Sequence, residues 1–363
     1  MRLTLILAAL LLQDDGSYKL KDGPRKVGTI ENLVLRDDAR KKDLQLRINY
    51  PDGDGPFPVI VFSHGAHGAK KNYQPLTTHL AGHGYVTIQP NHSDSYELGG
   101  RPGDADSFTD WENRPKDISF ILDSFDAIVE KAPALKGKLD AKRIGVGGHS
   151  FGAHTAQLIG GVQTIVRGTA TSHRDKRVLA VLLLSPQGRG DLLTDKSWET
   201  LAVPALVMSG TKDESARTGK KPEWRREAYD FAPAGDKYLV WVDGLFHNYG
   251  GLTGAKARTA DSGPDNKDHV DYAKMTAVAF FDAYVKGEKE AKTYLAGDGL
   301  TTYSKKGDRG EAEVRPAVPW SPLVSSRRST PEGAFSPVRR EARRRRMRRR
   351  THGESPDVGG MSP

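Results

Sequence analysis

The sequence predicts an α/β chain: a mainly parallel central sheet with helices on both faces. Three observations carry this. Strand-like and helix-like segments alternate from Lys26 onward. Several strands are continuously apolar, as expected of strands buried on both sides. A Gly-x-Ser-x-Gly pentapeptide, Gly148-His-Ser-Phe-Gly152, also sits at one strand-to-helix junction.

The elements can be read in order. Leu44–Tyr50 and Pro58–Phe62 predict strands, the second buried because Val59-Ile-Val-Phe62 is uninterruptedly apolar. Tyr73–His83 predicts a helix, with Leu76 and Leu80 four apart, and Tyr85–Gln89 a strand. Pro115–Lys131 predicts a helix on the 3–4 residue spacing of Ile118, Ile121, Leu122, Phe125 and Ile128, with Pro115 suited to its first turn. Arg143–Gly147 is the strand before the pentapeptide. Val178–Leu184, Pro204–Ser209 and Tyr238–Val242 are three further strands, and Asp268–Tyr284 is a closing amphipathic helix. Two polar stretches interrupt the pattern. Asn91–Asn113 lies on the side of the sheet where α/β sites form. The charged Asp213–Arg225 is a candidate piece of a cap.

The 363 residues carry a net charge of +9, but the charge is uneven. Residues 316–363 hold eleven arginines against four acidic residues, a balance of +7, and leave +2 for the rest. The basic character is thus a property of the tail, and gives no reason to expect nucleic-acid binding by the folded body. The tail is rich in Ser, Pro, Gly and Arg, with Arg343–Arg350 interrupted only by Met347, and is expected to be disordered. Weak docking to anions is its functional reading; a solvated or spurious extension is the plainer one. At the other end, Arg2 precedes an apolar run to Leu12 and a polar break at Gln13-Asp-Asp15. This fits a signal peptide over residues 1–15, too short to span a bilayer, and an exported protein; a cytosolic protein with an apolar first strand is the alternative. The expected division is therefore residues 1–15, 26–315 and 316–363. The absence of cysteine excludes disulfides, thiolate metal sites and a cysteine nucleophile.

In the pentapeptide, a serine on a sharp turn after a strand is lifted toward a base, and the next backbone N–H faces the substrate oxygen. Side chains at the two glycines would collide with the neighbouring strand and helix. Ser150 is therefore the candidate nucleophile. It needs a base, and the base needs an orienting carboxylate. Asp213 follows the buried strand ending at Gly210, with Glu214, Asp191 and Asp195 as rivals and helix capping as its alternative role. His247 follows the strand Lys237–Val242, in a loop from which it can swing over the serine. His64, His67, His92, His149 and His154 also lie near the candidate site loops. His149 is expected to pack or hydrogen-bond locally, and His64 with His67, three apart, make a poor metal pair because the only acids nearby are in other loops. The Gly-rich Ser63-His-Gly-Ala-His-Gly68 loop supplies candidate oxyanion donors: the Ala66 backbone N–H, paired with that of Phe151. Trp111, Phe108, Tyr96, Phe246 and Tyr249 lie in loops that suit either a substrate pocket or plain packing.

Val59-Ile-Val-Phe-Ser-His-Gly65, Leu80-Ala-Gly-His-Gly-Tyr-Val86, Arg114–Asp123, Arg143–Gly152 and Leu184-Ser-Pro-Gln-Gly188 together resemble the α/β-hydrolases grouped as predicted dienelactone hydrolases and platelet-activating-factor acetylhydrolase-like enzymes. Cutinase-type polyester hydrolases have a similar elbow. The resemblance spans roughly residues 28–300. It implies the α/β-hydrolase fold and a Ser–Asp–His hydrolase carried by Ser150, Asp213 and His247, with Ala66 and Phe151 at the oxyanion hole and no cofactor or metal. True dienelactone hydrolases use a cysteine, which this chain lacks, so the label does not imply that reaction. The Arg-rich tail has no counterpart. The expected activity is hydrolysis of a small-molecule carboxylic ester, short-chain or soluble because no long apolar lid is visible. A non-catalytic relative, or an amidase or acyltransferase with the same triad, are the alternatives.

Overall fold

The computed structural model describes residues 16–101, 106–215, 217–254, 262–304 and 312–315. The expected leader and Arg-rich tail lie outside them. The chain divides after Trp320, and every described residue belongs to the first unit.

Among the described residues, eleven strands and eight α-helices run in the order β1 (Val27–Asp37), β2 (Lys42–Pro51), β3 (Phe57–Ser63), α1 (Gln74–Gly82), β4 (Val86–Pro90), α2 (Asp106–Asp123), α3 (Phe125–Lys131), β5 (Leu139–His149), α4 (Phe151–Gly160), β6 (Gln163–Val166), β7 (Thr169–Ser172), β8 (Val178–Leu184), β9 (Ala205–Lys212), α5 (Glu223–Asp230), β10 (Lys237–Phe246), α6 (Lys267–Phe281), α7 (Lys289–Ala296), α8 (Gly299–Ser304) and β11 (Ala312–Arg315). Nine strands form one sheet in the order β1-β2-β4-β3-β5-β8-β9-β10-β11, and β6 and β7 form a separate antiparallel hairpin. From β4 through β10 every pairing is parallel, while β1, β2 and β11 pair antiparallel.

The central strands are buried on both faces, and their pleat sorts them between two cores. Val59, Val61, Val181, Leu183 and Val207 pack with α2 to α5 through Ile118, Ile121, Ile128, Ala156, Ile159 and Ala228. Their neighbours Ile60, Phe62, Leu182, Leu184, Leu206 and Met208 pack with α1 and α6 through Leu76, Leu80, Val278, Phe280 and Phe281. Because β3, β5, β8, β9 and β10 are parallel, the loops at their C-terminal ends gather along one edge. No helix among the described residues is long and apolar enough to cross a membrane.

Several boundaries differ from the sequence reading. The helix expected from Pro115 begins at Asp106, inside the stretch read as a loop, so Pro115 lies within it. The same helix breaks at Ser124, whose hydroxyl donates to the Phe120 carbonyl one turn back at 2.7 Å, a bond that competes with helical geometry. The closing helix is regular only to Phe281 and continues as a π-turn, Asp282–Lys286, around the fully buried Asp282. The stretch read as a charged cap, Asp213–Arg225, runs into α5 instead. Nor is β10 the last strand, since β11 returns antiparallel along it.

Candidate active site

Ser150 stands between β5 and α4 with φ 54° and ψ −116°, a positive φ that is costly for a residue with a side chain. Its N–H donates to the Leu184 carbonyl at 2.8 Å, which ties the turn to β8. The flanking glycines explain how the turn is packed. A Cβ at Gly152 would lie 2.0 Å from the Ser63 carbonyl oxygen, and one at Gly148 2.2 Å from the Gly152 carbonyl oxygen. Only glycine allows α4 to approach β3 and β5 this closely.

Asp213 and His247 lie 34 residues apart and meet beyond β9 and β10, with His247 Nδ1 2.7 Å from Asp213 Oδ1. With Nδ1–H donating to the carboxylate, Nε2 is the nitrogen left to take a proton. Asp213 is fully buried, whereas the His247 side chain keeps 19% of its surface. Burial alone would raise the Asp213 pKa; the Arg225 guanidinium and His247 outweigh it and hold the carboxyl well below its usual range. Ser185 and Ser209 hydroxyls both donate to Oδ2, the latter at 2.6 Å. Of the rival acids, Glu214 pairs with Lys221 on the surface instead.

Arg225, Ser185, Ser209 and the brace at Tyr249 were not assigned roles by the sequence. Arg225 is buried, 3.4 Å from Asp213 Oδ1, with Nη2 3.5 Å from His247 Nδ1. Its position in a charged segment concealed it. Tyr249, read as a possible pocket residue, is fully buried with its hydroxyl 3.1 Å from Ser185 Oγ, so it braces the acid. Tyr96 is exposed and Trp111 packs edge-on against His173. The Phe108 side chain lies outside the described residues. A hollow lined by Arg174, Glu199, Thr200, Pro204, Asp236 and Lys237 opens at the N-terminal ends of β9 and β10, the opposite end of the sheet from Ser150.

The other histidines are mostly structural. His149 accepts from the Tyr73 hydroxyl at Nδ1 (2.8 Å) and donates from Nε2 to the His247 carbonyl (2.8 Å). Tyr73 in turn accepts from the Gly65 N–H at 3.1 Å. Burial, then the nearby His247, keeps the His149 pKa far below its ordinary value, so it stays neutral in this chain of bonds. His64 donates from Nδ1 to the Gly65 carbonyl and accepts the His92 N–H at Nε2, which leaves it no nitrogen for a metal. His92 lies between Ser63 Oγ (2.9 Å) and Asp117 (2.8 Å). This is a second Ser–His–Asp row, but Ser63, His92 and Asp117 are each fully buried. Substrate cannot reach it, and Lys42 and Arg40 neutralise its carboxylate.

Ala66 is exposed at the turn after β3, and Phe151 opens α4 half-buried. The Gly65 carbonyl is held by the Gly68 N–H at 3.0 Å and by His64. In a trans peptide the Ala66 N–H points the opposite way.

A family model described as chlorophyllase matches residues 20–160, a span that includes the loop after β3 and Ser150 but neither Asp213 nor His247. No curated protein matches the chain. Among solved structures, a ferulic acid esterase from Streptomyces cinnamoneus superposes with a TM-score of 0.52 at 20% identity, over 73% of this chain and 91% of that one. At that identity the likeness speaks to the fold. The sheet order, the strained serine turn and the superposition agree on the α/β-hydrolase fold, and residues 20–160 are similar to the chlorophyllase family.

Proposed function

We propose that the chain cleaves short-chain or soluble carboxylic esters through Ser150, His247 and Asp213. The observation that carries this reading is the 2.7 Å contact between the partly accessible His247 and the sealed Asp213, at the sheet edge where Ser150 holds a positive φ. That both comparisons bear the names of ester-cleaving proteins supports the substrate class.

In this mechanism Ser150 Oγ adds to the acyl carbon while its proton passes to His247 Nε2. The carbonyl oxygen becomes an oxyanion facing the Ala66 and Phe151 N–H groups. Collapse breaks the ester C–O bond, and the proton on His247 goes to the departing alcohol. Water then adds to the acyl-enzyme, His247 takes its proton, and the acid leaves as that proton returns to Ser150. Asp213 holds the Nδ1–H tautomer and stabilises the imidazolium.

The test is labelling with a fluorophosphonate, read by mass spectrometry, beside the rate on p-nitrophenyl esters of increasing chain length. The reading expects a single adduct on Ser150, loss of both labelling and turnover in Ser150→Ala, and fastest turnover on short acyl chains. No adduct on the folded protein would favour a binding protein. An adduct without ester turnover would favour an amidase or acyltransferase, and a preference for long chains would overturn the substrate assignment.

A further inference from the structure

Arg114 is the most deeply buried guanidinium among the described residues, with none of its surface exposed. It sits on α2, outside the triad. Its Nη2 lies 2.6 and 2.7 Å from the two oxygens of Asp94, itself almost wholly buried. Burial would raise the Asp94 pKa; the Arg114 charge reverses this and keeps the carboxylate ionised. Replacing such a pair with apolar residues is often neutral or better for stability, so stability alone explains it poorly.

What the pair does here is orient backbone. Arg114 Nη1 donates to the His64 carbonyl at 2.6 Å, and Nη2 donates to the Gly65 carbonyl at 3.3 Å. Asp94 Oδ2 accepts the His67 N–H at 2.9 Å. The ion pair therefore grips the loop on both sides of Ala66: two carbonyls before it and one N–H after it. The same guanidinium lies 4.3 Å from the centre of the Phe151 ring, within cation–π range. Its reach thus includes both residues whose N–H groups face the oxyanion in the mechanism above.

We propose that Arg114, anchored by Asp94, is the positioning residue of the oxyanion hole: it sets the Gly65–Ala66 peptide through its carbonyl and Phe151 through its ring, so that both N–H donors are aligned before substrate arrives. This rests on the ester-hydrolase reading. Donors fixed in advance need no reorganisation as charge develops, which is where such groups gain their effect. A lysine in place of Arg114 keeps the charge but cannot hold Asp94 and two carbonyls in one plane.

The experiment compares wild type, Arg114→Lys and Ser150→Ala. It reads kcat and KM on p-nitrophenyl acetate, the pH profile of kcat/KM, the melting temperature, and inhibition by a trifluoromethyl ketone. Ser150 Oγ adds to that ketone carbon and passes its proton to His247, and the ketone oxygen becomes an oxyanion that requires the same two donors. For Arg114→Lys the expectation is a fall in kcat of about 10- to 100-fold, below the loss from deleting a donor outright. KM should stay within about threefold, the ketone's inhibition constant should weaken by the same factor as kcat, and the midpoints of the pH profile should not move. Wild-type kcat in the folded variant, or lost kcat with unchanged ketone affinity, would overturn the proposal. Should Arg114→Lys prevent folding, Phe151→Leu, which keeps the backbone N–H and removes only the ring, decides by the same parallel loss. Activity surviving in Ser150→Ala would instead overturn the ester-hydrolase reading itself.

Discussion

His149, the residue before Ser150, holds the backbone of His247: its Nε2 donates to the His247 carbonyl at 2.8 Å. Through Tyr73 the same imidazole reaches the Gly65 N–H. One neutral ring therefore joins the three loops that carry Ser150, His247 and Gly65. Its directions are consistent only if the proton is on Nε2, which burial favours by suppressing the imidazolium.

His149→Leu should leave the Tyr73 O–H without its acceptor and the His247 carbonyl without its donor, the first of them buried. Such groups cost about 1–3 kcal/mol. Urea denaturation should show a loss of this size, and kcat should fall because His247 loses its backbone anchor. A variant with wild-type stability and kcat would show that the bridge contributes nothing.

Asp213→Asn keeps the shape of the acid and removes its charge. The amide can present its NH2 to His247 and favour the wrong tautomer, and Arg225 is left without its counter-charge. A fall in kcat on the order of 10⁴-fold is expected, the scale found when a triad carboxylate is neutralised. Steady-state rates on p-nitrophenyl acetate measure it; a loss under tenfold would remove Asp213 from the triad.

Gly152→Ala places a Cβ 2.0 Å from the Ser63 carbonyl oxygen and 2.7 Å from that of His64. Both neighbours are backbone and cannot turn aside, so a destabilisation of about 3 kcal/mol or more is expected. Gly190→Ala, whose Cβ would meet nothing within 4 Å, is the control and should change stability by less than about 0.5 kcal/mol. Thermal melts of the two variants side by side decide the matter.

Stability should fall as the pH drops from about 6.5 toward 4. Burial first, then the Arg114 charge, pushes His92 down to about 4 and His154 to about 3, from an ordinary 6.5. In that window the unfolded chain binds protons that the folded one refuses, so the unfolding free energy rises with pH, by up to about 1.4 kcal/mol per pH unit for each such histidine. Urea midpoints at pH 7.5 and 5.0 test this. A flat profile would mean that these imidazoles charge without loss of structure.

Much of the molecule was legible in the sequence. Unbroken apolar runs such as Val59–Phe62 and Val178–Leu184 identify central parallel strands, because burial on both faces leaves no polar alternation. The Ser150 turn was legible because its two glycines answer a steric demand, Gly148 against the start of α4 and Gly152 against the end of β3. Other features were hidden. The Pro115 helix was read too short, since a proline suits a first turn and nothing nearby shows that α2 packs far enough to tolerate it inside. The roles of Arg225, Ser185 and Tyr249 around Asp213 were also invisible, because each comes from a different segment and only the packed sheet edge brings them to one carboxylate.

The alternation of strands and helices and the glycine-flanked Ser150 turn are thus readable from the sequence, because both rest on residues close together in the chain. It took the packed fold to show which acid meets His247, that Ser63, His92 and Asp117 form a sealed row rather than a site, and that Arg114 grips the turn after β3. Those outcomes depend on burial and on contacts between residues tens of positions apart, and no local pattern encodes them.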